Sequence, residues 1–306
     1  VEYALQVSGS YDDILDAAAF ATDRGLVALA LPDHYLMAFS EEKAKTTPAP
    51  DAFVQFGGLA RDTTDIDLVM LVSPITFRHP AVLAKMAMTL AEMSSGRFAL
   101  GVGTGWMDRE HEVFGFDYPE IAERFDMLED ALGYLRAAFD PDSPGYTGER
   151  YTLEEFPLSP MPSTNVPIVI GGTGPHKTPR LAGMFADEFN IYPGPDLAER
   201  IERFRAAAVE AGRDPDEIRL STSGQVAAAE TETEFEELMN GYAAEMGIDR
   251  DELDAQYDKR RTPRGTYEQV NERFEGFRGL GISRFYFQGI FTPIDTAALL
   301  DGLGIT

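Results

Sequence analysis

Eight short apolar runs, each followed by a stretch with helical hydrophobic spacing, constrain this chain more than any other feature of its sequence. The runs fall at residues 3–7, 27–31, 67–72, 98–103, 166–170, 187–192, 219–227 and 284–288. Between and after them lie helical patterns at 11–24, 52–61, from Pro80 onward, 122–139, 176–186, 197–211, 266–279 and 296–303. Ile14, Ala18 and Ala21 share one face of the first helix, and Leu83, Ala87 and Leu90 one face of the third. Phe125, Leu128, Leu132, Leu135 and Phe139 do the same in the fourth. Strand–helix alternation from end to end predicts an α/β protein with a parallel sheet. Eight such units in 306 residues predict a TIM-like (β/α)8 barrel, a single domain over 1–306. The competitor is an open doubly wound sheet, which would place a G-x-G-x-x-G at the opening of the first helix; none is there. Two insertions break the rhythm. Residues 140–164 are rich in proline, glycine and turn residues, with a hairpin expected at 146–153; residues 230–264 are charged and helical in parts.

A barrel of this kind carries its functional residues at the C-terminal ends of the strands. The chemically interesting residues fall there. Asp33 and His34 follow the second strand, Ser73 the third, Thr104 and Trp106 the fourth, and the run from Gly171 to Lys177 the fifth. The fourth strand ends in glycines two apart, Gly101, Gly103 and Gly105. Alternate strand residues share a face, so these leave one face bare if the strand persists, as a planar ligand lying against it would need. A tight strand-to-loop turn is the other reading. Gly171, Gly172, Thr173, Gly174 and Pro175 lead into a helix, where exposed N–H groups and the helix N-terminus can hold a phosphate. Lys177 in the first turn of that helix is either a further phosphate contact or an ordinary surface lysine. His34 has the chemistry to give or take a proton near neutrality. His79, beside Pro80, reads as a helix-entry residue, and Glu110 and His111 as residues holding the loop after the glycines. No histidine or carboxylate spacing indicates a metal site.

Acidic residues number 52 against 26 lysines and arginines, a net charge of −26, which argues against nucleic-acid binding. Acid spread over every surface segment, with few lysines, is the composition of a protein kept hydrated in concentrated salt. The expectation is a halophilic cytoplasm. Absent cysteine excludes disulfides and thiolate chemistry. No apolar run of about 20 residues is present, and the first residues do not read as a signal peptide. A cytoplasmic protein with no membrane partner is expected.

Three segments together resemble a known family: RHPAVLAK from Arg78, SGRFALGVGTGW from Ser95, and EHEVFG from Glu110. With ERF from Glu123, PIVIGGTGP from Pro167 and GISRFYF from Gly281, the likeness to the luciferase-like flavin and deazaflavin oxidoreductases spans the chain in order. The Asp33–His34 pair, SPITFR from Ser73 and the GVGTG run are most similar to the branch that uses coenzyme F420. The resemblance implies a barrel with insertions over the C-terminal rim. It implies hydride transfer between the deazaflavin and a small organic substrate, a carbonyl, imine or activated alkene, with no oxygenase chemistry. It makes His34 the proton partner, with Asp33 beside it, near the reactive edge of the ring. Leu71, Val72, Ser73, Gly103 and Thr104 would hold the ring, through a bulge or non-prolyl cis peptide near Leu71 and Val72. The Gly171–Pro175 loop and Lys177 would hold the phosphate. Trp106 and Tyr35 would shape the substrate pocket, with residues 35–39 and the insertions setting substrate choice. Trp106 stands where the sugar-phosphate dehydrogenase branch has a glutamate, which disfavours glucose-6-phosphate as substrate. An FMN-dependent monooxygenase or reductase, and a non-catalytic flavin-binding relative, are the alternatives. The family's habit implies a homodimer or higher homo-oligomer.

Overall fold

The computed structural model describes residues 1–37, 45, 47–161, 165–289 and 292–305. Eight parallel strands close on themselves: β1 (Glu2–Gln6), β2 (Ala28–Leu31), β3 (Asp67–Met70), β5 (Phe98–Gly103), β8 (Ile168–Gly172), β9 (Glu188–Ile191), β10 (Arg219–Gly224) and β13 (Arg284–Gln288). They neighbour one another in the order β3-β2-β1-β13-β10-β9-β8-β5, and β3 pairs with β5 to complete the ring. The two-residue β4 (Ser73–Pro74) continues the line of β3 and pairs with Val102 and Gly103. The expected TIM-like (β/α)8 barrel is therefore the fold. Its strands lie within two residues of their predicted starts.

Side-chain alternation explains the closure. In β1, Ala4 faces inward with Ala28 and Ala30 of β2, Val69, Val169 and Tyr286, while Leu5, Leu29, Leu68 and Phe285 face the helices. Small alanines on β1 and β2 leave room inside for Tyr286, which is fully buried. At the N-terminal end of the barrel the Tyr286 hydroxyl donates to Glu188 at 2.8 Å, and Arg284 meets Glu2 and Glu188. The larger outer core, between strands and helices, buries residues such as Phe56, Phe98, Phe189 and Phe204. At about 1.5–3 kcal/mol for each large side chain, that layer is the main stabilising term.

The connections set the rim. Helices α1 (Tyr11–Asp23), α2 (Ala52–Asp62) and α3 (Pro80–Met93) follow the first three strands. His79 is the N-cap of α3 and accepts from the Ala81 N–H, the helix-entry role its place beside Pro80 predicts. After β5 comes a short helix that the sequence pattern did not reveal, α4 (Asp108–Phe114), and then α5 (Ile121–Phe139). The first insertion holds the expected hairpin, β6 (Tyr146–Thr147) with β7 (Thr152–Leu153). Asp130 of α5 fixes it, accepting from the Tyr146 hydroxyl and the Arg150 N–H at 2.6 Å each. Helices α6 (Lys177–Phe185) and α7 (Leu197–Glu210) follow β8 and β9. The second insertion forms α8 (Glu232–Met246) and α9 (Arg250–Arg260), packed through Phe235, Met239, Leu253 and Tyr257. It is flanked by a parallel pair, β11 (Ala227–Ala229) and β12 (Arg264–Thr266). Helices α10 (Tyr267–Gly279) and α11 (Pro293–Leu303) complete the ring. Among the described residues no helix is long and apolar enough to cross a membrane.

Candidate active site at the C-terminal mouth of the barrel

The glycine strand and the third strand are fitted to each other. The Leu71–Val72 peptide is cis, at the position the resemblance implied. It separates β3 from β4 and turns the Val72 side chain over the end of β5. A Cβ on Gly101 would stand 1.9 Å from the Met70 carbonyl oxygen and 2.9 Å from Val72 Cγ1. A Cβ on Gly103 would lie 3.1 Å from Val72 Cγ2, and one on Gly171 3.0 Å from Val72 Cγ1. The face expected to be bare is thus filled by Val72, whose two methyls rest on three glycines. A ligand at this end of the barrel meets valine first, and Gly103 lies behind it. The third glycine does not share that face. The strand stops at Gly103, and Gly105 has φ +78°, a left-handed conformation in which a side chain is strained.

Asp33, expected beside the proton partner, is closed off from solvent. It is fully buried: Ser73 Oγ donates to it at 2.6 Å, and Arg78 donates from both terminal nitrogens. Burial raises the Asp33 carboxyl above its ordinary range, and the Arg78 guanidinium and these hydrogen bonds pull it partly back. Arg78 also donates to the Tyr35 hydroxyl at 2.6 Å and to Asp51 at 2.9 Å. The Tyr35 ring stacks on Phe77 at 4.9 Å, and burial pushes its phenol up to about 12. Asp33, Ser73 and Tyr35 therefore anchor the loop after β2, because their polar atoms are committed to one another and to Arg78. Of residues 35–39, positions 38 and 39 lie outside the described residues.

What the anchor presents is His34. Its Nδ1 lies 2.9 Å from Glu110 Oε2, and the other oxygen of that carboxylate accepts from the Tyr35 and Leu36 N–H groups at 2.6 and 2.9 Å. Glu110 is buried, on the short helix α4. A carboxylate accepts only, so this contact puts the proton of a neutral His34 on Nδ1 and leaves Nε2 as the basic nitrogen. Trp106 meets the His34 ring edge-on at 5.6 Å and is 63% exposed. His111 is buried against Thr76 Oγ1 at 2.7 Å and the Met107 carbonyl at 2.8 Å, so it holds the loop as expected. Glu110 does that and also fixes the imidazole, a partnership the sequence did not reveal. Arg124, the middle residue of the ERF segment, to which the sequence assigns no role, stacks on Tyr118 and donates to the Thr104 and Gly105 carbonyls, fixing the loop that carries Trp106.

The Gly171–Pro175 segment crosses from β8 to α6. The N-cap residue of α6, His176, makes no side-chain cap hydrogen bond, so the first N–H groups of the helix have no such partner. Gly172 and Gly174 pack against buried Thr178. Arg203 donates to the Pro175 carbonyl at 2.8 Å. Lys177 is half-exposed, 3.1 Å from Asp126, with its ammonium 5.5 Å from the Phe125 ring centre. That is a surface ion pair and not a charge waiting in the loop. Among the described residues no group of three or more histidines and carboxylates is arranged to hold a metal ion.

The sequence profile of the luciferase-like monooxygenase family matches residues 2–284. An F420-dependent glucose-6-phosphate dehydrogenase of Microbacterium testaceum is 32% identical over 213 residues, 68% of this chain and 61% of that protein. A pyrimidine monooxygenase of Allorhizobium ampelinum is 30% identical over 172 residues, 54% of this chain and 46% of its own. The matched stretch thus spans about three fifths or less of the curated relatives' length. Among solved structures, an F420-dependent secondary alcohol dehydrogenase superposes with a TM-score of 0.80 at 21% identity, covering 100% of this chain and 98% of that one. A coenzyme F420-dependent tetrahydromethanopterin reductase of Methanopyrus kandleri gives 0.73 at 17% identity, covering 98% and 97%.

Proposed function

The chain belongs to the luciferase-like monooxygenase family, and from that premise we propose a coenzyme F420-dependent oxidoreductase acting on a small organic substrate at the barrel mouth. The observation that carries this reading is the His34–Glu110 pair, 2.9 Å apart on the rim beside Trp106. Redox chemistry at a carbon–oxygen or carbon–nitrogen bond moves a proton as well as a hydride, and a histidine oriented by a buried carboxylate is built to move it.

The residues present fit the cofactor. The Val72 methyls over Gly101, Gly103 and Gly171 offer a flat apolar rest for a ring. The cis peptide carbonyl beside it is fixed by Gln6 Nε2, which donates to the Leu71 oxygen at 2.5 Å. The glycines from Gly171 to Gly174, with the side-chain-free cap of α6, suit a phosphate. When bound, the deazaflavin supplies the hydride exchange with substrate carbon. The protein supplies the rest. His34 holds or accepts the proton at Nε2, Glu110 keeps the imidazole in that tautomer, and Trp106 covers the substrate side. Asp33 serves as the anchor of His34 through Arg78.

Two relatives mark the limits of the reading. The glucose-6-phosphate dehydrogenases carry F420 in their name, but the resemblance implies a glutamate in that branch where this chain has Trp106, and on that ground we assign a different substrate. The pyrimidine monooxygenase relative favours FMN as the second reading. Fluorescence titration of the purified protein in high salt with F420 and with FMN separates them. Submicromolar binding of F420 is the expected result; submicromolar binding of FMN alone overturns the cofactor assignment.

A further inference from the structure

Beneath the cis peptide a chain of side-chain hydrogen bonds crosses the inside of the barrel. Gln6 Nε2 donates to the Leu71 carbonyl, Gln288 Nε2 donates to Gln6 Oε1, and Gln288 Nε2 also donates to the Tyr192 hydroxyl at 2.8 Å. The chain has a fixed direction. A carbonyl oxygen only accepts, so Gln6 must present its amide nitrogen to Leu71 and its oxygen to Gln288. Gln288 must then present its nitrogen, and the Tyr192 oxygen accepts from it. Two groups are left over at the mouth. The Tyr192 O–H proton has no acceptor among the described residues, and Gln288 Oε1 has no donor there. Both residues are partly exposed, and Gln288 Oε1 is not among the buried atoms that lack a partner. One donor and one acceptor, on side chains joined by the 2.8 Å bond between them and both uncharged, match one hydroxyl group, which accepts through oxygen and donates through hydrogen.

Their place in the ring says which hydroxyl. Tyr192 follows β9 and His34 follows β2, four strands apart in a ring of eight. They stand across the mouth from each other. Resting on the reading of this mouth as an oxidoreductase site, we infer that Tyr192 and Gln288 recognise a second hydroxyl of the substrate. That hydroxyl is distinct from the carbon–oxygen group served by His34. The substrate class is then a small diol or hydroxy-carbonyl compound. Neither group carries charge, so the pair does not select a phosphate or carboxylate at that end.

The test uses propane-1,2-diol against propan-2-ol, two probes that differ by one hydroxyl. Saturation-transfer NMR reads their binding to wild-type protein and to Tyr192→Phe, with and without F420. Circular dichroism confirms that the variant is folded. Wild-type protein should bind the diol about tenfold more tightly, the value of one well-made hydrogen bond pair. In Tyr192→Phe that preference should shrink to within about twofold, with the F420 dissociation constant unchanged by fluorescence. Equal binding of the two probes to wild type, no binding of the diol, or a preference that survives in the variant overturns the assignment. So does a variant that loses F420 affinity while keeping the diol preference, since the pair then belongs to the cofactor. Failure of the underlying reading looks different: wild-type protein does not bind F420 at all.

Discussion

At the scale of single residues, the proposed site divides into a group assigned to react, His34, and groups that hold it. His34→Ala should lower kcat by about 10²–10⁴-fold, the range for losing a general acid–base, with F420 affinity changed by less than about tenfold. Unchanged turnover removes His34 from the mechanism. Arg78 tests the anchor. Arg78→Leu leaves the fully buried Asp33 carboxylate without its cation, and breaking a buried pair costs about 3–5 kcal/mol. Burial already holds the Asp33 carboxyl above its ordinary range. The folded protein therefore keeps that proton to a higher pH than the unfolded chain, and stability falls as pH climbs between the two values. Removing Arg78 widens that window upward, so the variant's deficit in urea midpoint should be larger near about pH 8 than near about pH 5. A deficit independent of pH would show that Asp33 is not the group left exposed to the loss. The sequence makes His34 legible because a scarce titratable residue sits just past a strand, where a barrel puts its chemistry. It does not reveal the pairing of His34 with Glu110, 76 positions away, or that of Gln6 with Gln288, 282 apart. Those contacts exist only once the ring closes, and their one local trace is a polar residue ending each of two apolar strands.

At the scale of elements, the strands and long helices are readable because apolar periods of 2 and 3.6 survive in the sequence over whole segments. Helix α4 is not: seven residues, mostly charged, with no apolar stripe. The β11–β12 pair is equally silent, since a run of three alanines carries no strand signature. The glycine strand is an intermediate case. Its spacing announces a close approach but not what approaches, and the structure answers with Val72. This gives a graded prediction. Gly101→Ala drives a Cβ into the Met70 carbonyl, a backbone atom that cannot move aside, whereas Gly103→Ala is tight only against a methyl of Val72 at 3.1 Å and meets the Gly171 carbonyl oxygen at an ordinary 3.4 Å. The first should cost about 3 kcal/mol or prevent folding, and the second about 1 kcal/mol. Thermal unfolding reads the difference. Val72→Ala should restore Gly103→Ala and leave Gly101→Ala impaired; rescue of both would mean that Val72, not the backbone, sets the spacing at Gly101.

At the scale of the whole molecule, the question is which electrostatic term salt acts on. Arginines pair widely over the surface, as in Arg180 with Glu129, Arg203 with Glu199 and Arg250 with Glu236. Exposed pairs of this kind contribute about 0–1 kcal/mol each, and salt weakens them. Against them stands a net charge of −26, whose self-repulsion opposes the compact state and is also screened by salt. The buried pairs, Arg78–Asp33 and Arg284–Glu188, are shielded from added ions and change little. With 52 acids and 26 cations, negative charge stays in large excess even where one arginine holds two carboxylates, as Arg78 holds Asp33 and Asp51, so relief of repulsion outweighs loss of pairing. The screening length shrinks from about 10 Å to about 3 Å between 0.1 and 1 M salt, which brings most carboxylate–carboxylate distances beyond reach. Urea unfolding midpoints should therefore rise strongly from roughly 0.1 M to molar potassium chloride. Sodium chloride at equal ionic strength should do nearly the same if screening is the cause. Flat midpoints would mean that the acidity serves something other than life in concentrated salt, and would turn attention to the acidic faces of α8 and α9 as binding surfaces.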